Sequence, residues 1–189
     1  AIYSGGSNSS ALTFSYSVAK GDQAATLNYV DVNSLTLNGG SITDAAGNAA
    51  ALTLPGVLGD LASGAAIAVD GTPPTLASVK PLDPVTRNGA SSIARFLLTF
   101  SEDVNGVDAS DFAVSTTGVS GTATILPISG SGSSYTATVS LVGISGATGT
   151  IGLELAANPS ITDGAGNAVE ALAPSPNQTY TCLLYTSDA

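Results

Sequence analysis

The chain has 189 residues, 4 of them Lys or Arg against 14 Asp or Glu, a net charge of -10, and only 10% charged residues beside 43% hydrophobic ones. Four scattered cations, Lys20, Lys80, Arg87 and Arg95, cannot form the basic stripe that neutralises phosphates or anionic headgroups, so nucleic acid and acidic membrane surfaces are expected to be poor partners. With one Cys and no His, neither an intrachain disulfide nor a zinc site of the usual kind can form. An acidic surface of this sort favours cations, and Ca²⁺, which takes oxygen ligands, is the expected extracellular one. No apolar run approaches the roughly 18 residues of a membrane-spanning helix, so no membrane insertion is expected. The opening Ala1-Ile2-Tyr3-Ser4 lacks an initiator Met and a signal-peptide pattern, so the chain is expected to begin within a longer protein.

In chain order, the first alternating segment places Leu12, Phe14, Tyr16 and Val18 on one face and Thr13, Ser15 and Ser17 on the other, the pattern of a half-buried antiparallel strand. Leu35-Thr36-Leu37 follows, then Ser41 to Ala49, and then Val69-Asp70-Gly71-Thr72-Pro73-Pro74-Thr75, whose paired prolines predict an extended, semi-rigid linker. Beyond it, short strands are expected near 75–80, at Phe96, Leu98 and Phe100, near 111–116 and 121–128, at Tyr135, Ala137, Val139 and Leu141, at Ile151, Leu153 and Leu155, and near 178–182. No window of 11 or more residues has helical periodicity. Seven strands in about 105 residues predict an immunoglobulin-like β-sandwich.

An internal repeat runs through this pattern. Ser41-Ile42-Thr43-Asp44-Ala45-Ala46-Gly47-Asn48-Ala49 recurs as Ser160-Ile161-Thr162-Asp163-Gly164-Ala165-Gly166-Asn167-Ala168, with one difference. Upstream, Leu35-Thr36-Leu37 parallels Leu153-Glu154-Leu155, and the Ile2 to Ser10 segment parallels Pro127 to Ser134. The offset drifts from 124 (134−10) to 119 (163−44), a change in loop length. The expected organisation is all-β, with tandem sandwich modules: 1–70 as the C-terminal half of a module truncated at its N-terminus, 71–75 as linker, 76–181 as a complete module, and 182–189 as a non-native-looking tail.

Leu98-Thr99-Phe100-Ser101-Glu102-Asp103-Val104, then Asp111-Phe112, then Ile161-Thr162-Asp163-Gly164-Ala165-Gly166-Asn167, resembles the bacterial Ig-like repeats of large surface adhesins and repeat-in-toxin secreted proteins. Residues 12–70 resemble the back half of such a repeat. The resemblance implies an extracellular or cell-surface stalk whose partners are neighbouring Ig-like modules of the same chain, with Ca²⁺ at the joints of some members. The tail Thr181 to Ala189 resembles a translated sequencing adaptor, which assigns Cys182 no function.

Alternating strand directions put the loop from Glu102, the turn at Gly130 to Ser134 and the loop from Asp163 at one pole, the pole of Asp70. Asp70, Glu102, Asp103 and Asp163, with Asn167 as a neutral ligand, therefore make the candidate Ca²⁺ set. The competing reading is turn chemistry alone, because Asp and Asn bond back to the backbone and Gly tolerates positive φ. Gly21-Asp22 and Asp108 to Asp111 are expected to be solvated turns. Catalysis is not expected: no base accompanies any Ser, and Glu102 with Asp163 is the one carboxylate pair to name for glycoside hydrolysis. The alternative function is a carbohydrate-binding accessory module of a secreted enzyme, with Tyr3 or Tyr29 stacking on sugar; coplanar exposed aromatics on one sheet would favour it. The Asn-x-Ser/Thr tripeptides at Asn8 and Asn177 are too short to weigh.

Overall fold

Alternation sets the faces of these strands, but pairing partners decide which faces are covered, and the two parts of the chain differ in that respect. The computed structural model describes residues 1–56, 60–64, 66–82, 92–145, 148–170 and 180–183. Arg87, Asn177 and the tail from 184 lie outside the described residues. Two compact units divide at Thr72/Pro73, inside the expected linker.

In the first unit, β1 (Ile2–Gly5) and β2 (Thr13–Ser15) form an antiparallel hairpin, with Tyr3 opposite Phe14. Further on, β3 (Gln23–Ala24) pairs with β4 (Val69–Asp70). A single helical turn, α1 (Leu61–Gly64), is capped by Asp60, whose Oδ1 accepts the Ser63 N–H at 2.8 Å. Leu35 to Leu37, expected to repeat a core strand, forms none. Val69 is the one buried large apolar residue among those described here, while Leu12, Phe14, Tyr16 and Val18 are exposed. Gly71 is held by its own unit: its N–H donates to Asp22 O and its carbonyl accepts from Gly21, both at 2.8 Å.

The second unit is an immunoglobulin-like sandwich. Its strands are β5 (Leu76–Pro81), β6 (Ile93–Phe100), β7 (Phe112–Thr117), β8 (Thr124–Ile125), β9 (Ser129–Ser131), β10 (Ser134–Ser140), β11 (Thr148–Leu155) and β12 (Tyr180–Leu183). One sheet has the order β5-β6-β10-β8 with β9 also on β10; the other has the order β12-β11-β7. In the sandwich nomenclature these are strands A, B, E and D against G, F and C, the constant-type immunoglobulin arrangement. Strand D is the one broken in two, at Pro127. Ile125 faces Val139 and Ser129 faces Thr136, so four steps (129−125) oppose three (139−136), a one-residue bulge where proline offers no N–H to the ladder.

The core follows from period two. Ala94, Phe96, Leu98 and Phe100 of β6 are buried beside Tyr135, Ala137 and Val139 of β10, with Tyr135 opposite Leu98 and Ala137 opposite Phe96. Ile151 and Leu153 of β11 and Phe112 of β7 belong to the same cluster. Burying each such large side chain contributes about 1.5–3 kcal/mol. The module is closed at its start by Pro74, whose carbonyl accepts the Glu170 N–H at 2.8 Å, and by Thr75, whose carbonyl accepts the Ser101 N–H at 2.9 Å. At its end, β12 pairs with β11 through Leu183, two residues beyond 181, because a backbone ladder makes no demand on side-chain identity.

Candidate functional site

Three loops of the second unit meet beyond the ends of β6, β9 and β11. Val104 donates its N–H to Gly132 O at 3.0 Å, joining the β6–β7 loop to the β9–β10 turn. Asn105 and Thr162 exchange N–H···O bonds at 2.7 and 3.1 Å, joining the same loop to the segment after β11. Beneath them the buried Tyr135 hydroxyl donates to Val104 O at 2.8 Å, and its ring meets Phe100 edge-on at 5.9 Å. These bonds fix where each acidic residue can sit.

Asp163 is 4% exposed and organises its own loop. Its Oδ1 accepts the N–H groups of Ala165 and Asn167 at 2.9 and 2.8 Å, and its Oδ2 accepts the Asn167 side-chain amide at 2.7 Å. Gly166, at φ 92, provides the left-handed residue that lets the chain turn back. Burial raises the Asp163 carboxyl, but the hydrogen bonds from Asn167, side chain and backbone, and from Ala165 and Gly166 outweigh it and leave its pKa below the ordinary carboxylate value.

The repeat provides an internal control. Asp44 accepts the N–H groups of Ala46 and Asn48 and the Asn48 side-chain amide at 2.9, 2.8 and 2.8 Å, and Gly47 sits at φ 88. Asp44 is exposed, and its pKa is lowered first by the Asn48 side chain. The turn therefore forms without the burial that surrounds Asp163. Turn chemistry accounts for the Asp and Asn of this motif on its own.

Glu102, half-buried, and Asp163 offer carboxylate oxygens within 4.8 Å of one another. Asp103, the next residue, is exposed and turns to the β9–β10 turn instead: its Oδ1 lies 3.1 Å from where a Cβ on Gly132 would stand. Asn167 is adjacent to Asp163 as its amide donor, which leaves the amide oxygen as the group a cation would use. Asp70 belongs to the first unit, where it ends β4 opposite Gln23 and its Oδ1 accepts the Thr72 N–H at 3.0 Å. The Asp163 carboxylate already accepts from Ala165 and from the backbone and side chain of Asn167, which occupy most of its lone-pair capacity.

Asp111 corrects the expectation that Asp108 to Asp111 is a solvated turn, for Asp111 is 1% exposed. It ends a 3-10 turn, Ala109–Asp111, in a reciprocal capping box: Asp108 Oδ1 accepts the Ser110 N–H at 2.7 Å, and Asp111 Oδ2 accepts the Asp108 N–H at 2.8 Å. Its Oδ1 also accepts from Ser160, from the N–H at 2.6 Å and the hydroxyl at 3.0 Å, tying the start of β7 to the segment after β11. The signal was legible as Asp-x-x-Asp ahead of the apolar Phe112. Asp22 departs less from expectation: it is half-buried in its turn, accepting from Tyr16 Oη at 2.5 Å and from the Ala19 N–H at 2.8 Å.

Exposed aromatics do gather on the hairpin of the first unit, but not as a platform. Tyr3 and Phe14 meet edge-on, with ring planes at 70°, and the Tyr16 hydroxyl is held by Asp22. Tyr29 is half-buried, and its hydroxyl donates to Pro55 O. Among the described residues no helix is long and apolar enough to cross a membrane.

A family model described as a bacterial Ig-like domain matches residues 70–180, more than half of the chain. No curated protein and no solved structure matches it.

Proposed function

The chain belongs to the bacterial Ig-like domain family, and on that premise we propose that it is a non-catalytic structural spacer in an extracellular, adhesin-like repeat protein of the bacterial surface. The observation that carries this reading is the recurrence of one turn, with the same three hydrogen bonds to its Asp, in two units of one chain. Repetition of a self-contained structural element is how chains build length rather than chemistry.

Calcium at the start of the module is the finer part of the proposal. Glu102 and Asp163 hold carboxylates close together, and Asp103, Asn167 and local carbonyls lie on the same loops. A cation would offset the repulsion between these carboxylates and stiffen the connection to the neighbouring module.

Thermal unfolding of the full chain in excess Ca²⁺ and then in chelator tests the calcium arm, because an ion bound only to the folded state raises its stability. A rise in Tm with Ca²⁺ that is lost in Glu102→Ala is expected; identical melting in both conditions would refute calcium binding and leave a metal-free spacer. Co-sedimentation with insoluble polysaccharides tests the spacer reading itself. No retention is expected, whereas saturable retention would replace the spacer with a carbohydrate-binding accessory module.

A further inference from the structure

We propose that the β1–β2 hairpin of the first unit is an acceptor for an added antiparallel β-strand with alternating apolar residues, of the kind that β6 supplies in the second unit. The repeat makes the two hairpins comparable. With an offset of 123 (135−12), Leu12, Phe14, Tyr16 and Val18 correspond to Tyr135, Ala137, Val139 and Leu141, and β1 stands to β2 as β9 stands to β10. In the second unit β10 has strands on both sides, and β6 faces Tyr135, Ala137 and Val139 with Leu98, Phe96 and Ala94. All four apolar residues of that β10 row are buried, none more than 9% exposed.

In the first unit, among the described residues, β2 pairs with β1 alone. The corresponding row is open, with Phe14 and Tyr16 each 45% exposed and Val18 51%. One edge of β2 therefore offers backbone groups with no ladder partner beside a row of large apolar side chains, the two features that strand addition uses for affinity and for register. The occupant is specified by the second unit. It is a strand that runs antiparallel to β2 and puts an apolar residue opposite Leu12, Phe14 and Tyr16, as Leu98, Phe96 and Ala94 do for their counterparts. A polar strand would leave the apolar row unsatisfied, and a helical partner would leave the ladder unsatisfied.

The probe is a fluorescently labelled peptide reproducing residues 92–101, titrated against the full chain and followed by anisotropy. Saturable binding is expected, with loss on scrambling the peptide, which destroys the alternation, and with at least a tenfold weakening in the Phe14→Ser chain. Hydrogen exchange on the unsubstituted chain gives the second readout, independent of how well the variant folds: the amides of residues 12–18 should exchange more slowly when the peptide is bound. No binding, equal binding of the scrambled peptide, or unchanged exchange at residues 12–18 would each overturn the proposal. Concentration-dependent dimers that the peptide does not dissociate would assign the edge to a second copy of the chain and overturn it as well.

Discussion

Asp163 Oδ2 accepts the side-chain amide of Asn167 at 2.7 Å, four residues along the chain, while Asp163 Oδ1 takes two backbone N–H groups of the same loop. One buried carboxylate thus satisfies donors that water would otherwise have to reach. This pair closes the loop after β11 against the core residues Ile161 and Val169, whose backbones are joined by the Val169 N–H to Ile161 O bond at 2.9 Å.

The pH dependence of stability follows from it. Because the folded pKa of Asp163 lies below its unfolded value, the stabilisation is fully present above the unfolded pKa of about 3.9 and is lost as pH falls through the folded value. In Asp163→Asn the new amide nitrogen would face the Asn167 amide, donor against donor. The stability difference between the wild-type chain and this variant, from denaturant titrations at a series of pH values, should be constant between pH 7 and 5 and shrink below about pH 4. A difference that persists undiminished at pH 2.5 would refute the assignment.

Asp111 should matter as much as any apolar core residue. Asp111→Ala strands the Asp108 and Ser160 N–H groups in a part-buried site, and buried unsatisfied donors cost about 1–3 kcal/mol each. A loss on the order of 3 kcal/mol is expected, with Asp111→Asn recovering part of it. A loss below 1 kcal/mol would return the residue to the solvated-turn reading.

Phe96 sits fully buried at the middle of the β6–β10 pairing. Phe96→Ala should destabilise the second unit by about 3–5 kcal/mol, from lost burial and the cavity left behind. Chemical denaturation monitored by tyrosine fluorescence, to which Tyr135 of the same core cluster contributes, measures it. A cost under 1.5 kcal/mol would mean that the core relaxes around the gap.

Limited proteolysis should separate the two units. Thermolysin, which cuts beside large apolar residues, is expected to cleave within 1–72, where Leu12, Phe14, Val18 and Val30 are exposed, before it cleaves at Phe96, Leu98, Ile151 or Leu153. Mass spectrometry of the early fragments reads the order directly. Simultaneous loss of both regions would show that the first unit is as well protected as the second.

Much of the second unit was legible because its strands alternate cleanly. The inward rows Phe96-Leu98-Phe100, Tyr135-Ala137-Val139-Leu141 and Ile151-Leu153 can be read by eye, and each is buried in the fold. The nine-residue repeat was legible too, and its Asp, Gly and Asn already specify a turn, since the contacts that build it span at most four residues along the chain.

Tertiary structure decided what depends on distant partners. Leu35-Thr36-Leu37 and Leu153-Glu154-Leu155 have nearly the same local sequence, yet only the second is a strand, because β7 supplies its ladder, with Val114, Ala113 and Phe112 opposite Leu153, Glu154 and Leu155. Leu12, Phe14, Tyr16 and Val18 carry the same alternation as the β10 row yet are exposed, whereas the β10 row is buried in one cluster with residues of β6, β7 and β11. Asp111 looks like any acidic turn residue until Ser160, 49 positions away, brings its N–H to the carboxylate. Local hydrogen bonds and side-chain period are properties of a short segment and can be read from it directly; burial is a property of what folds over that segment, and it depends on contacts between residues far apart in the chain.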